Sequence, residues 1–142
     1  MKTRTGFVSN SSSSSFIVAV KKSDKCPHCG RTDPDFIDLI ETIGGSSDGY
    51  ECTKLRARGA EQVFQRIEKE NFEWCDDAEK KAWEKRFGDW LKAEEKGYAI
   101  ADIEISYHDE ATSNLFQDLR ERKAVLVLWS DHEGPTTEIY SL

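Results

Sequence analysis

Four cysteines and two histidine-bearing turns hold the residue types that could do chemistry in this chain. Cys26 and Cys29 form a Cys-x-x-Cys within Lys25-Cys26-Pro27-His28-Cys29-Gly30. On a tight turn, two thiolates at this spacing aim at one centre, which is half of a zinc ribbon. A second Cys-x-x-Cys is absent. Cys52 and Cys75 follow instead, each 23 positions after the cysteine before it, with His28 as a spare ligand. The expected cofactor is a structural zinc held by Cys26, Cys29, Cys52 and Cys75. Two alternatives stand beside it: a metal-free turn with ordinary buried cysteines, and a redox pair. A redox Cys-x-x-Cys normally opens a helix, which lowers the thiol pKa. Here the next helix start, Asp33-Pro34, comes four residues too late.

The second constellation is His108-Asp109-Glu110 with Asp131-His132-Glu133. Each triplet follows a predicted strand of one β-α-β unit, so both should lie at the same edge of the sheet, where open α/β folds tend to bind ligands. Histidines beside carboxylates could make a metal site or an acid–base pair. The plainer reading is that polar residues populate turns and caps, and Asp109 is well placed to cap a helix. If the first strand runs antiparallel to these two, its serine-rich start reaches the same edge. A rim of Ser11, Ser13, Ser15, His108, Asp109, Asp131 and His132 would result. No residue is assigned a catalytic role: the chain has no Walker-type phosphate loop, nucleophile elbow or Cys–His pair with triad logic.

Positioning these groups requires a framework, and hydrophobic periodicity supplies it. Residues 15–21 read as a strand apolar on both faces (Phe16, Ile17, Val18, Ala19, Val20), which suits a central position. Asp33 is expected to cap a helix with Pro34 at its first position and Phe36, Ile37, Ile40 and Ile43 inward, ended by Gly44-Gly45. A strand over 50–57, a helix over 60–70 and a longer helix over 76–96 follow, the last opened by Asp76-Asp77. Residues 99–107 alternate as a half-buried strand. Asp109 opens a helix to about Arg122 with Leu115, Phe116 and Leu119 inward. A second continuous apolar strand covers 124–129, and residues 136–140 return as a short last strand. The tryptophans at 74, 83, 90 and 129 are core candidates, with the stripe Trp83, Phe87, Trp90 alternatively an exposed partner face. The expected fold class is α+β, with a single mixed sheet of about five strands, helices mainly on one face, and the Cys-x-x-Cys knuckle attached. Residues 1–14 read as a Ser-rich leader and 15–142 as a single domain.

The 142 residues carry a net charge of −7, which argues against wholesale nucleic-acid binding. The distribution is uneven. Residues 1–31 hold six bases (Lys2, Arg4, Lys21, Lys22, Lys25, Arg31) against Asp24, a balance of +5 that leaves −12 for the rest. Such an arm could touch phosphate through Lys21, Lys22 and Lys25, or dock on the acidic body. No apolar run approaches the ~20 residues that span a bilayer, and the five apolar residues at 16–20 are too few for a signal-peptide core. A cytoplasmic protein without membrane contact is expected, its cysteines thiols or metal ligands.

The five serines at 11–15 read in three ways: a flexible leader, an anion-binding nest of backbone N–H groups and hydroxyls, or an ordered segment packed for a partner. Arg4-Thr5-Gly6-Phe7-Val8-Ser9-Asn10, the serines, and Phe16-Ile17 resemble the leader of many small uncharacterised proteins of bacteriophages and some bacteria. These begin R-x-G-F-V-S-N-S-S-S-S-S-F, and some carry a Cys-x-x-Cys shortly afterwards. The resemblance covers about residues 4–17. It implies a phage or prophage origin and expression in a bacterial host cytoplasm, and no reaction. The expected function is that of a non-enzymatic accessory protein, with or without the structural zinc, that binds a host or phage macromolecule, a protein being the expected partner. The competing expectations are a small-ligand binder or metal-dependent enzyme using His108, Asp109, Asp131 and His132, and a nucleic-acid binder using the basic arm and zinc knuckle.

Overall fold

The computed structural model describes residues 13–22, 27–30, 35–46, 53–106 and 109–141. Its elements are β1 (Ser13–Lys21), α1 (Phe36–Ser46), β2 (Lys54–Arg58), α2 (Ala60–Asn71), α3 (Asp77–Glu95), β3 (Tyr98–Ser106), α4 (Glu110–Glu121), β4 (Val125–Ser130) and β5 (Gly134–Pro135). Single 3₁₀ turns lie at Phe72–Trp74 and Glu138–Ser141. No helix among the described residues is long and apolar enough to cross a membrane.

The strands form a five-stranded sheet in the order β2-β3-β1-β4-β5. Every recorded pairing is antiparallel, which corrects the expected mixed sheet. β3 and β4 do run in the same direction, as a β-α-β unit should, but β1 lies between them and opposes both. Its apolar run is the cause. Ile17 and Ala19 enter one core layer and Val18 and Val20 the other, so both faces of β1 must be covered. β4 repeats the pattern with Leu126 and Leu128 on one side and Val125 and Val127 on the other. Two-faced strands need two cover layers, and the expectation of helices mainly on one face fails for that reason: α2 and α3 cover one face, α1 and α4 the other.

Local chemistry fixes the helices. In α2, Ala60, Val63, Phe64 and Ile67 are buried, one stripe at helical spacing. Gly59 precedes it at φ 97, a left-handed-side value that a Cβ disfavours, and its N–H reaches Ile100 O at 2.7 Å. The Asp76 carboxylate accepts the Glu79 N–H at 2.8 Å and caps α3. Trp83 and Trp90 of α3 pack edge-to-face at 6.3 Å, and Phe87 stacks on Phe64 at 4.5 Å. Asp35, rather than Asp33, caps α1. Asp38 N–H donates to Asp35 Oδ1 and Asp35 N–H to Asp38 Oδ2, both at 2.9 Å, a reciprocal capping box.

Four other expectations are corrected. β1 starts at Ser13, two residues early, because β3 offers partners as far as Ser106. Leu115 points outward, and Trp74 is exposed. The expected strand over 136–140 is instead a 3₁₀ turn after the two-residue β5. There the Glu138 carboxylate accepts the Val127 N–H at 3.0 Å and the Thr136 hydroxyl donates to Val127 O. These side chains satisfy the outer edge of β4 in place of a strand backbone.

Candidate functional site

The turn after β4 meets the serine end of β1. Ser14 Oγ lies 3.0 Å from His132 Nε2. Ser15 N–H donates to Asp131 Oδ2 at 3.2 Å, and Asp131 N–H donates back to Ser15 O at 3.2 Å. The topology explains the meeting: β1 begins where β3 and β4 end, so the serines reach the edge that carries the turn after β4. Ser15, Asp131 and His132 of the expected rim are therefore together. Ser13 is placed by its backbone pairing with Ser106, and Ser11 and His108 lie outside the described residues.

Asp131 is the most confined member. Its side chain is 4% exposed, and Oδ1 has no hydrogen-bond partner among the described residues. Burial raises its pKa, opposed by the Ser15 N–H and the charge of His132. His132 is 56% exposed, with Nε2 3.7 Å from Asp131 Oδ1. Serine, histidine and aspartate side by side invite comparison with a nucleophilic triad. A triad uses opposite imidazole nitrogens for the serine and the aspartate. Here both face the same nitrogen, so no proton relay runs from Asp131 through the ring to Ser14.

Asp109 has a different task. Oδ1 accepts the Thr112 N–H at 3.1 Å, capping α4, and Oδ2 accepts the Thr53 hydroxyl at 2.8 Å. Burial opposes its ionisation, but these hydrogen bonds outweigh that and lower its pKa. Thr53 in turn accepts the Ser106 N–H at 3.2 Å, so Asp109 ties the start of α4 to the end of β3.

A cleft of about 230 Å³ opens beside Ser14 and His132. Its strand wall is Ser14, Ser106 and Ser130, and its helix wall is Ser113, Gln117 and Arg120, one stripe of α4. Phe16 and Phe116 also line it, with ring centroids 4.6 Å apart. Ser106, Ser130, Ser113, Gln117 and Arg120 were not legible as site residues. The available signal was a serine closing each of two apolar strands, just before a histidine-bearing turn. Arg120 is fully engaged: Nη1 and Nη2 meet Glu133 at 3.0 and 3.1 Å, and Nε and Nη2 meet Glu138 at 2.9 and 2.6 Å. The Glu133 hydrogen bond leads in raising the Arg120 pKa, and Arg120 holds the Glu133 carboxyl low.

A larger groove of about 520 Å³ lies between α1 and α4, lined by Phe36, Leu39, Leu115 and Leu119. Its two carboxylates are committed, Asp35 to the capping box and Asp38 to that box and to Arg58 at 2.9 Å. Lys21 and Lys22 are exposed at the opposite end of β1 from the cleft, and Lys25 lies outside the described residues.

Of the four expected metal ligands, Cys26 and Cys52 lie outside the described residues. Cys29 is exposed in the turn before α1, and Cys75 is half-buried against the α2–α3 layer. Burial, then the Glu79 and Asp76 carboxylates, push the Cys75 thiol up. Among the described residues no group of three or more His, Cys, Asp or Glu could hold a metal ion. Comparison of the chain with protein-family models, with curated proteins and with solved structures finds no match.

Proposed function

We propose that this chain is a non-enzymatic binding protein whose cleft between α4 and the serine-rich sheet edge holds a small neutral molecule. What supports this reading is the electrostatic state of the lining. Ser14, Ser106, Ser113, Ser130, Gln117 and His132 line the cleft, while its arginine is paired with two carboxylates. An anion would have to displace Glu133 to reach Arg120. A neutral ligand need not, and hydroxyls that both donate and accept suit it. The Phe16–Phe116 pair offers an apolar surface to one side of it. The volume falls below the ~300–1,000 Å³ usual for drug-sized ligands, so the occupant is the size of a sugar ring or a nucleobase. The likeness of residues 4–17 to a phage-protein leader supports a setting inside a bacterial host.

Titration of ¹⁵N-labelled protein with a monosaccharide, a nucleoside and inorganic phosphate, followed by amide NMR shifts, tests the reading. One of the neutral probes should move Ser106, Ser113, Gln117 and Ser130 together. Ser113→Leu, which fills the cleft from an α4 position that is not in the core, should abolish the effect. A response to phosphate alone, or none at these amides, would reject it.

A further inference from the structure

We infer that the 3₁₀ turn between α2 and α3 is a docking surface for an arginine- or lysine-bearing segment of another protein, with Trp74 as its anchor. Trp74 is 79% exposed, about twice the exposure of Leu39, Leu91 and Leu115, the other exposed large apolar side chains among the described residues. The turn that presents it is fixed on both sides. Phe72 packs edge-on against Phe64 at 5.8 Å, Cys75 N–H donates to Phe72 O at 3.2 Å, and Asp76 caps α3 immediately afterwards. The ring is therefore held out on a braced turn, with most of its ~150–250 Å² still to be covered.

Charge identifies what would cover it. Residues 68–79 contain Glu68, Glu70, Glu73, Asp76, Asp77 and Glu79, all exposed, against Lys69. Glu70 is paired with Arg66 at 2.5 Å, whereas Glu73, Asp76, Asp77 and Glu79 have no ion-pair partner among the described residues. Lys80 and Lys81 follow, but Glu73, Asp76 and Asp77 stand within three residues of Trp74, and an exposed aromatic face beside carboxylates attracts a cation twice, through the ring quadrupole and through the charges. The chain already makes such a contact internally, with the Arg86 guanidinium 4.6 Å from the Trp83 ring centre. Nucleic acid and anionic membrane would be repelled by the same carboxylates. A short cationic stretch of polypeptide fits, because Trp and Arg are the residues most often dominant at protein interfaces. This surface is separate from the cleft, and neither reading depends on the other.

A short arginine-rich peptide, with its glutamate-substituted counterpart as control, serves as probe. Trp74 is the exposed tryptophan among three that are buried or half-buried, so acrylamide quenching reports on it directly. The arginine peptide should protect the fluorescence from quenching, and the protection should weaken as salt rises to about 0.3 M. In a labelled-peptide anisotropy assay, Trp74→Ala should weaken binding about fivefold and Trp74→Phe less. The double variant Glu73→Gln/Asp77→Asn should weaken it as well. All three positions are exposed, so an unchanged circular-dichroism melt verifies that the variants fold. Equal affinity of Trp74→Ala, or equal binding of the glutamate peptide, would overturn the inference. So would concentration-dependent dimerisation that Trp74→Ala abolishes, since the patch would then serve a second copy.

Discussion

Replacing Asp102 by asparagine should stabilise the protein at neutral pH, and by an amount that depends on pH. Asp102 lies in the middle of β3, opposite Ile17 of β1, and its side chain is 13% exposed. Burial raises its pKa from 3.8 to about 6, against the pull of Arg66 and Arg56 and with help from Glu70 and Glu104. The nearest recorded cation contact, Arg66 Nη1 at 3.9 Å, is too long to be a hydrogen bond and does not offset the desolvation. The folded state thus binds the proton more tightly than the unfolded state. The associated stability is complete below the unfolded value of 3.8 and is lost as pH rises through about 6. At about 1.4 kcal/mol per pKa unit, burying this carboxyl costs about 3 kcal/mol at pH 8, where it must be buried ionised, and about 1 kcal/mol at pH 4.5, where it must take up a proton to fold. Asparagine keeps the shape and cannot ionise. Urea unfolding followed by circular dichroism should show the Asp102→Asn advantage growing by about 2 kcal/mol from about pH 4.5 to pH 8. A difference independent of pH would refute the reasoning. So would a variant less stable than the parent at pH 8, which would make the Arg66 attraction the larger effect.

Phe116→Ala should lower stability by about 3–5 kcal/mol in the same assay. Phe116 is 2% exposed and lies against both Phe16 at 4.6 Å and Phe36 at 5.7 Å, so truncation opens the α4 layer as well as the cleft. The proposal of a four-cysteine zinc predicts one zinc per chain by elemental analysis of purified protein, lost in Cys26→Ser and in Cys52→Ser. A metal-free parent protein ends that proposal.

Much of the fold was legible because it is encoded within a few residues. The α2 stripe, the Asp76 and Asp109 caps and the two-faced runs of β1 and β4 need only neighbours at fixed spacing. The same spacing rule misled at Leu115, where helical periodicity places the residue on an inward face and the fold leaves it exposed on the groove beside α1. The site was half legible. His132 and Asp131 could be tied to Ser15 once an antiparallel β1 was supposed. Ser113, Gln117 and Arg120 could not, since nothing in the chain order says which stripe of α4 overlies that edge.

What the sequence determined by itself was where apolar faces lie and where backbone ends can be capped, because both are local. The tertiary structure alone decided that β1 inserts between β3 and β4, that helices cover both faces, and that Glu138 stands in for a strand at the edge of β4. Hydrophobic burial has no direction of its own, so a two-faced strand demands cover without naming its neighbours. Those neighbours are chosen by long-range pairing, and that pairing brings the serine run and the His132 turn to one edge.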